Sequence, residues 1–191
     1  MIEIIISHIC IIFILIFIGI KLYRVCKELR ILKYSLNVSE SLFWVKDNKL
    51  KYIYANMQTR NLLFNGLDEK EIKGKTDLEI AQIVNKKTLT GFGDMCTETD
   101  ILTMKTRQGQ WFYEKSFIGD RPVCIWVNKV PIIVKKDCIK GVVGAAQLES
   151  CKDFDSYIDI YLKQGKITKL ENNSYWLLDE ELKAEIKEII K

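Results

Sequence analysis

The side chains that could do chemistry are few, and their positions exclude more than they offer. The 191-residue chain has a single histidine, His8. Beyond it there is no imidazole to accept a phosphoryl group, to serve as base in a Cys–His or Ser–His–Asp set, or to ligate haem. Six cysteines, Cys10, Cys26, Cys96, Cys124, Cys138 and Cys151, form no C-x-x-C pair and show no zinc-like spacing. They read as thiols in a reducing compartment, packed as small apolar residues. No glycine-rich phosphate loop, paired-carboxylate context or nucleophile–base set stands out. The expectation is a protein that is not an enzyme, with no metal site and no cofactor that can be named.

What remains is binding chemistry. In the β-branched, aromatic stretches after Gly109, period-two alternation puts Trp111, Tyr113 and Phe117 on one side of a strand. Cys124, Trp126 and Asn128 share a side of the next. A buried Trp or Asn needs hydrogen-bond partners, which a polar ligand or water can supply. With Phe92 and Met95 on a facing helix, the candidate pocket is Phe92, Met95, Trp111, Tyr113, Trp126 and Asn128. The same residues also suit a packed core without a ligand.

The elements that would position these groups start with the opening segment. Ile4 to Ile20 is seventeen residues without Asp, Glu, Lys or Arg. As a helix it spans roughly 26 Å, and Leu22 and Tyr23 extend it to roughly 30 Å, the thickness of a bilayer core. Lys21, Arg24, Lys27, Arg30 and Lys33 follow, against one acid, Glu28. No small-residue cleavage site is present, so the segment reads as an uncleaved transmembrane anchor. The basic flank places the N-terminus outside and the rest in the cytoplasm, with the flank on anionic lipid. The net charge of +4 resides in that flank, leaving 24 basic and 24 acidic residues elsewhere. Nucleic acid is therefore not an expected partner. Leu22, Val25, Leu29, Leu32 and Leu36 recur at alternating spacings of three and four. Such an a/d seam suits a parallel homodimer, or an amphipathic helix lying on lipid.

Downstream, Leu42–Lys46 and Leu50–Ala55 read as a hairpin around Asp47-Asn48-Lys49. Met57–Phe64 reads as a short helix closed by Asn65-Gly66. Asp68 with Glu71, and Thr76 with Glu79, are capping boxes, the second opening a helix to about Asn85. Leu89–Lys105 reads as a longer helix. Gln110–Ile118, Val123–Val134 and Cys138–Leu148 read as three antiparallel strands. The class is α+β with one antiparallel sheet. In the tail, Ser156–Gln164 and a segment capped by Asp179 read as helices whose default is to pack on the sheet.

The order of these elements and several local strings resemble a PAS domain. The strings are Phe43-Trp44-Val45-Lys46-Asp47, Tyr52-Ile53-Tyr54-Ala55-Asn56, Gly74-Lys75-Thr76-Asp77, Thr99-Asp100, Asn128-Lys129-Val130-Pro131 and Gly141-Val142-Val143-Gly144. The resemblance implies a five-stranded antiparallel sheet, helices on one face and a ligand or signal pocket between them. It also implies a sensory or dimerising role, with the signal passed to an unidentified partner. Two departures stand out. Leu148-Glu149-Ser150 replaces the family's "D-I-T" exit, and the flavin-photoreceptor string Asn-Cys-Arg-Phe is absent. The expected organisation is 1–23 anchor, 24–38 juxtamembrane helix, 39–150 PAS-like domain and 151–191 helical tail. Its expected function is that of a membrane-anchored sensory module without a catalytic output domain. A ligand-free adaptor or tether is the alternative.

Overall fold

The computed structural model describes residues 2–84, 91–118, 121–135, 138–149, 151–172 and 174–189. Two compact units divide the chain, Met1–Ser39 and Glu40–Lys191.

The first unit is one helix, α1 (Ile2–Val38). Among the described residues no helix is long and apolar enough to cross a membrane. This overturns the expected single-pass anchor and the outside-to-cytoplasm placement that rested on it. Along α1, Lys21, Arg24, Lys27 and Arg30 place a cation on every turn. His8 and Cys10 lie outside the described side chains. Leu22, Val25, Leu29 and Leu32 are exposed along α1, and Leu36 is half-buried.

The second unit begins with a hairpin, β1 (Leu42–Asp47) and β2 (Tyr52–Ala55). Its turn is held by Asp47, whose Oδ1 accepts from the Lys49 and Lys51 amides at 2.9 Å each. Asn56 then caps α2 (Met57–Leu63) by accepting from the Thr59 amide at 3.0 Å. Its Nδ2 donates to the Ser41 carbonyl at 2.8 Å, which locks the helix start onto β1. Short helices α3 (Glu69–Ile72) and α4 (Asp77–Val84) follow, each opened by an expected capping box. Next come α5 (Phe92–Thr106) and the strands β3 (Gln110–Ile118), β4 (Arg121–Lys135) and β5 (Cys138–Glu149). The expected helix ends at Asn85 and Leu89 lie outside the described residues.

The tail does more than pack. After α6 (Cys151–Lys163), two short strands appear, β6 (Ile167–Lys169) and β7 (Ser174–Leu177), before α7 (Glu180–Ile189). Strand β7 pairs with β3, so the sheet has seven antiparallel strands in the order β2-β1-β5-β4-β3-β7-β6, not the expected five. The reason is an open edge: β3 exposes unpaired backbone groups on its far side, and the β6–β7 hairpin satisfies them. Glu98 on α5 fixes that hairpin by accepting from the Glu171 and Asn172 amides, both at 3.1 Å.

Helices lie on both faces. The inner face packs Leu42, Trp44, Phe112, Ile125 and Val127 against Phe64, Ile72, Ile80, Phe92 and Met95. Trp44 lies over Gly144 so closely that a Cβ there would stand 2.2 Å from the indole, so only glycine fits. The outer face packs Tyr113, Cys124 and Trp126 against Ile167, Leu177 and Leu182, with Ile158, Tyr161 and Leu162 of α6 alongside. Lys115 on β3 also pairs with Asp155 on α6. Cys124 is disulfide-bonded, which corrects its expected role as a reduced packing thiol. Cys26, Cys96 and Cys138 are free.

Candidate functional site

Strand alternation carries charge into the interior. On β1, the residues pointing inward are Leu42, Trp44 and then Lys46, which has no exposed surface. On β4 the inward series Val123, Ile125 and Val127 continues to Lys129, also fully buried. On β3, Phe112 is followed inward by Glu114, 1% exposed. From the helices come Asp77, the first residue of α4, and Asp100, on the buried stripe of α5, both without exposed surface. Five ionisable groups from five elements thus meet between sheet and helices.

They form a chain of alternating sign. Lys46 Nζ lies 2.5 Å from Asp77 Oδ2 and 2.6 Å from Asp100 Oδ2. Lys129 Nζ lies 2.8 Å from Asp100 Oδ1 and 2.8 Å from Glu114 Oε1. Lys129 Nζ also donates to Thr99 Oγ1 at 2.7 Å. The Thr99 hydroxyl proton then goes to Glu114 Oε1 at 2.6 Å. At the other end the Tyr52 hydroxyl donates to Asp77 Oδ1 at 2.7 Å, and its ring lies beneath Lys46 Nζ, 4.7 Å from the centroid.

Proximity decides the protonation states. Burial alone would discharge both lysines, but Asp100 and Asp77 around Lys46, and Asp100 and Glu114 around Lys129, outweigh it and hold both ammonium groups above the ordinary lysine range. Burial likewise opposes ionisation of Asp100, yet Lys129 and Lys46 hold its carboxyl below the ordinary range. Burial first, and then Asp77, push the Tyr52 phenol up, so it stays a donor. Burial, with Glu114 and Asp77, also keeps the Cys96 thiol protonated. The arrangement can recognise polar groups; it offers no nucleophile activated for attack.

The residues expected to line one pocket fall on two faces. Phe92 and Met95 belong to the inner core, 5% and 1% exposed. Trp111, Tyr113, Trp126 and Asn128 point to the outer face, because inward positions on β3 and β4 are taken by Gln110, Phe112, Val127 and Lys129. Three of them, Trp111, Trp126 and Asn128, line an open groove of about 240 Å³ with Ser41, Ala145 and Gln147. Tyr113 instead lies tilted against Trp126, with centroids 4.8 Å apart, under the tail. Sequence reading passed over the charged chain itself. Part of the signal was available: Lys46 and Lys129 each occupy the phase of a strand whose preceding inward positions are Leu and Trp on β1, and Val and Ile on β4.

No family model matches the chain, and no curated protein matches it. Solved structures do. VqmA from Vibrio cholerae, in a complex described as VqmA–ligand–DNA, matches at 15% identity and TM-score 0.50, covering 75% of this chain and 61% of that one. A PAS domain from Colwellia psychrerythraea matches at 15% identity and TM-score 0.48, covering 63% of this chain and 96% of that one. The PAS domain of Bordetella pertussis BvgS matches at 12% identity and TM-score 0.46, covering 75% and 97%. The fold is PAS-like. The chain spans about 61% of the length of the VqmA structure it matches.

Proposed function

We propose that the chain is a PAS-type sensory module that binds a small polar molecule between its sheet and helices and passes the signal to a protein partner. A single observation carries the reading: five charged side chains, fully or almost fully buried, meet in the layer where the PAS resemblance locates a signal pocket. Such a cluster is a poor stabilising device. Apolar residues of similar volume stabilise as well or better, so retained buried charge points to recognition. The likeness to VqmA, a protein described in complex with a ligand, is consistent with this. Its DNA is not carried over, since this chain's charge outside residues 21–36 is balanced. Catalysis is not part of the proposal. Transmission would run through a homodimer paired along Leu22, Val25, Leu29, Leu32 and Leu36, the first four of which form an exposed apolar stripe that needs cover.

Native mass spectrometry of the full chain tests the reading. A co-purifying small molecule that Lys129→Met releases is the expected result. A bare chain, unmoved in thermal unfolding by a broad panel of polar metabolites, would overturn it. That outcome would favour a ligand-free adaptor, a reading helped by how tightly Phe92, Met95 and Phe112 fill the apolar part of the interior.

A further inference from the structure

The alternating chain Asp77–Lys46–Asp100–Lys129–Glu114 ends in an acid on both sides, but the two ends are not equivalent. Asp77 has both oxygens engaged, by Lys46 and by the Tyr52 hydroxyl. It also opens α4, where the backbone dipoles favour negative charge. Glu114 engages only Oε1, which takes both Thr99 and Lys129. Its Oε2 is buried without a partner among the described residues.

A second orphan lies beside it. Strands β3 and β7 pair Glu114 directly with Ser174. Directly opposed residues project to the same face, with Cβ atoms about 4.5–5.5 Å apart. Ser174 has no exposed surface, and its Oγ also lacks a partner among the described residues. Two unsatisfied oxygens on neighbouring strands thus adjoin the end of the charged chain. A carboxylate oxygen can only accept, whereas a hydroxyl can donate or accept. A group that bridges both oxygens must therefore donate to Glu114 Oε2, while the Ser174 hydroxyl can accept from it.

Charge narrows it further. Two lysines face three acidic side chains, so the cluster has one more acid than base. A neutral donor would satisfy the oxygen and leave that imbalance. No cluster that could hold a metal ion is found among the described residues. We propose that Glu114 Oε2 and Ser174 Oγ bind the ammonium group of a small primary amine. That group supplies the sixth charge and completes the alternation, with three N–H donors to share between the two oxygens and the ligand's surroundings. The proposal rests on the sensory reading and names its ligand class. Because Glu114 lies on β3 and Ser174 on the tail hairpin, the bound amine would tie the tail to the central sheet.

The test is thermal unfolding and calorimetric titration of the full chain with methylammonium. Tetramethylammonium, charged without N–H, and methanol, a donor without charge, are the controls. Methylammonium should raise the midpoint saturably, by about 5–10 °C at a hundredfold excess over half-saturation. The controls should not. Glu114→Gln should abolish the effect, and Ser174→Ala should weaken binding about tenfold by removing one hydrogen bond. Should Glu114→Gln fail to fold, Ser174→Ala alone decides. Absence of a saturable rise, an equal rise with either control, or an effect unchanged in the variants overturns the proposal. If amines fail but another class of metabolite shifts the midpoint in a Lys129-dependent way, the ligand class is wrong and the sensory reading stands. If no compound does so, both fall.

Discussion

Replacing Lys129 by methionine removes one charge while keeping a long unbranched side chain. Lys129 Nζ contacts Asp100 Oδ1 and Glu114 Oε1 at 2.8 Å each and Thr99 Oγ1 at 2.7 Å. In Lys129→Met, one lysine would face three carboxylates, none with exposed surface beyond the 1% at Glu114. Breaking a buried ion pair by removing one partner costs about 3–5 kcal/mol. Two carboxylates lose the same cation here, so the upper half of that range is expected. Domains are stable by only about 5–15 kcal/mol, and the cost corresponds to a fall in Tm of roughly 8–20 °C. Urea unfolding followed by tryptophan fluorescence measures it directly, because Trp44, Trp111, Trp126 and Trp176 all lie beyond Ser39. The midpoint should fall with the slope unchanged. A second signature is pH: Lys129 helps hold the Asp100 carboxyl below its ordinary range, and that stabilisation is lost in the parent as pH falls, so the cost should shrink as pH drops toward 4. Glu114→Gln is the opposite perturbation, leaving two cations and two anions, and should lie within about 1 kcal/mol of the parent or above it. A natively folded Lys129→Met within about 1 kcal/mol of the parent at pH 7, or equally destabilised at pH 4 and pH 7, would refute the reasoning.

Asp100 has its carboxyl held down in the fold, so its stabilisation is complete above the unfolded value of about 3.9 and lost as pH falls through the native one. Both lysines are shifted up, so their stabilisation is complete below about 10.4 and survives to still higher pH. Stability measured by urea titration should therefore stay level from about pH 6 to 8, drop below about pH 4, and decline above about pH 8.5 as the Cys96 thiol ionises in the unfolded chain while the fold keeps it protonated. Glu98→Ala removes the acceptor for the Glu171 and Asn172 amides. It should cost about 1–3 kcal/mol and raise amide hydrogen exchange across Ile167–Leu177 before the rest of the sheet. Single cysteines at Val25, Leu29 and Leu32, in a Cys26→Ser background, should form intermolecular disulfides more readily than cysteines at Lys27 or Arg30; equal yields would exclude pairing along that seam.

Much of the PAS-like layer was legible because its signals are local. The turn at Asp47, the Asn56 cap and the Thr76–Glu79 box each depend on residues a few positions apart. The strands after Gly109 were legible from β-branched and aromatic content. Strands β6 and β7 were not, because three- and four-residue strands have too little periodicity to read and form only against the open edge of β3. The inward face of the sheet was misassigned for a related reason. Trp111, Tyr113 and Trp126 are the larger aromatics and looked like core. They are indeed covered, but by the tail and not by α5. Once the tail provides a second apolar layer, both faces of β3 and β4 are apolar, and hydrophobicity alone cannot tell them apart. The lysines and the glutamate on the inner face could, since buried charge must meet its counter-charge and Asp77 and Asp100 come only from the helices. The apolar opening segment suggested a single-pass anchor, whereas among the described residues no helix is long and apolar enough to cross a membrane.

The ionised chain sealed between sheet and helices is tested most directly by NMR of the lysine side-chain nitrogens across a pH titration. Lys46 and Lys129 should give slowly exchanging ammonium signals that persist, without titrating, past the point near pH 10.4 where ordinary lysines lose their protons. Loss of those signals at or below that pH, or exchange as fast as that of the surface lysines, would contradict the account.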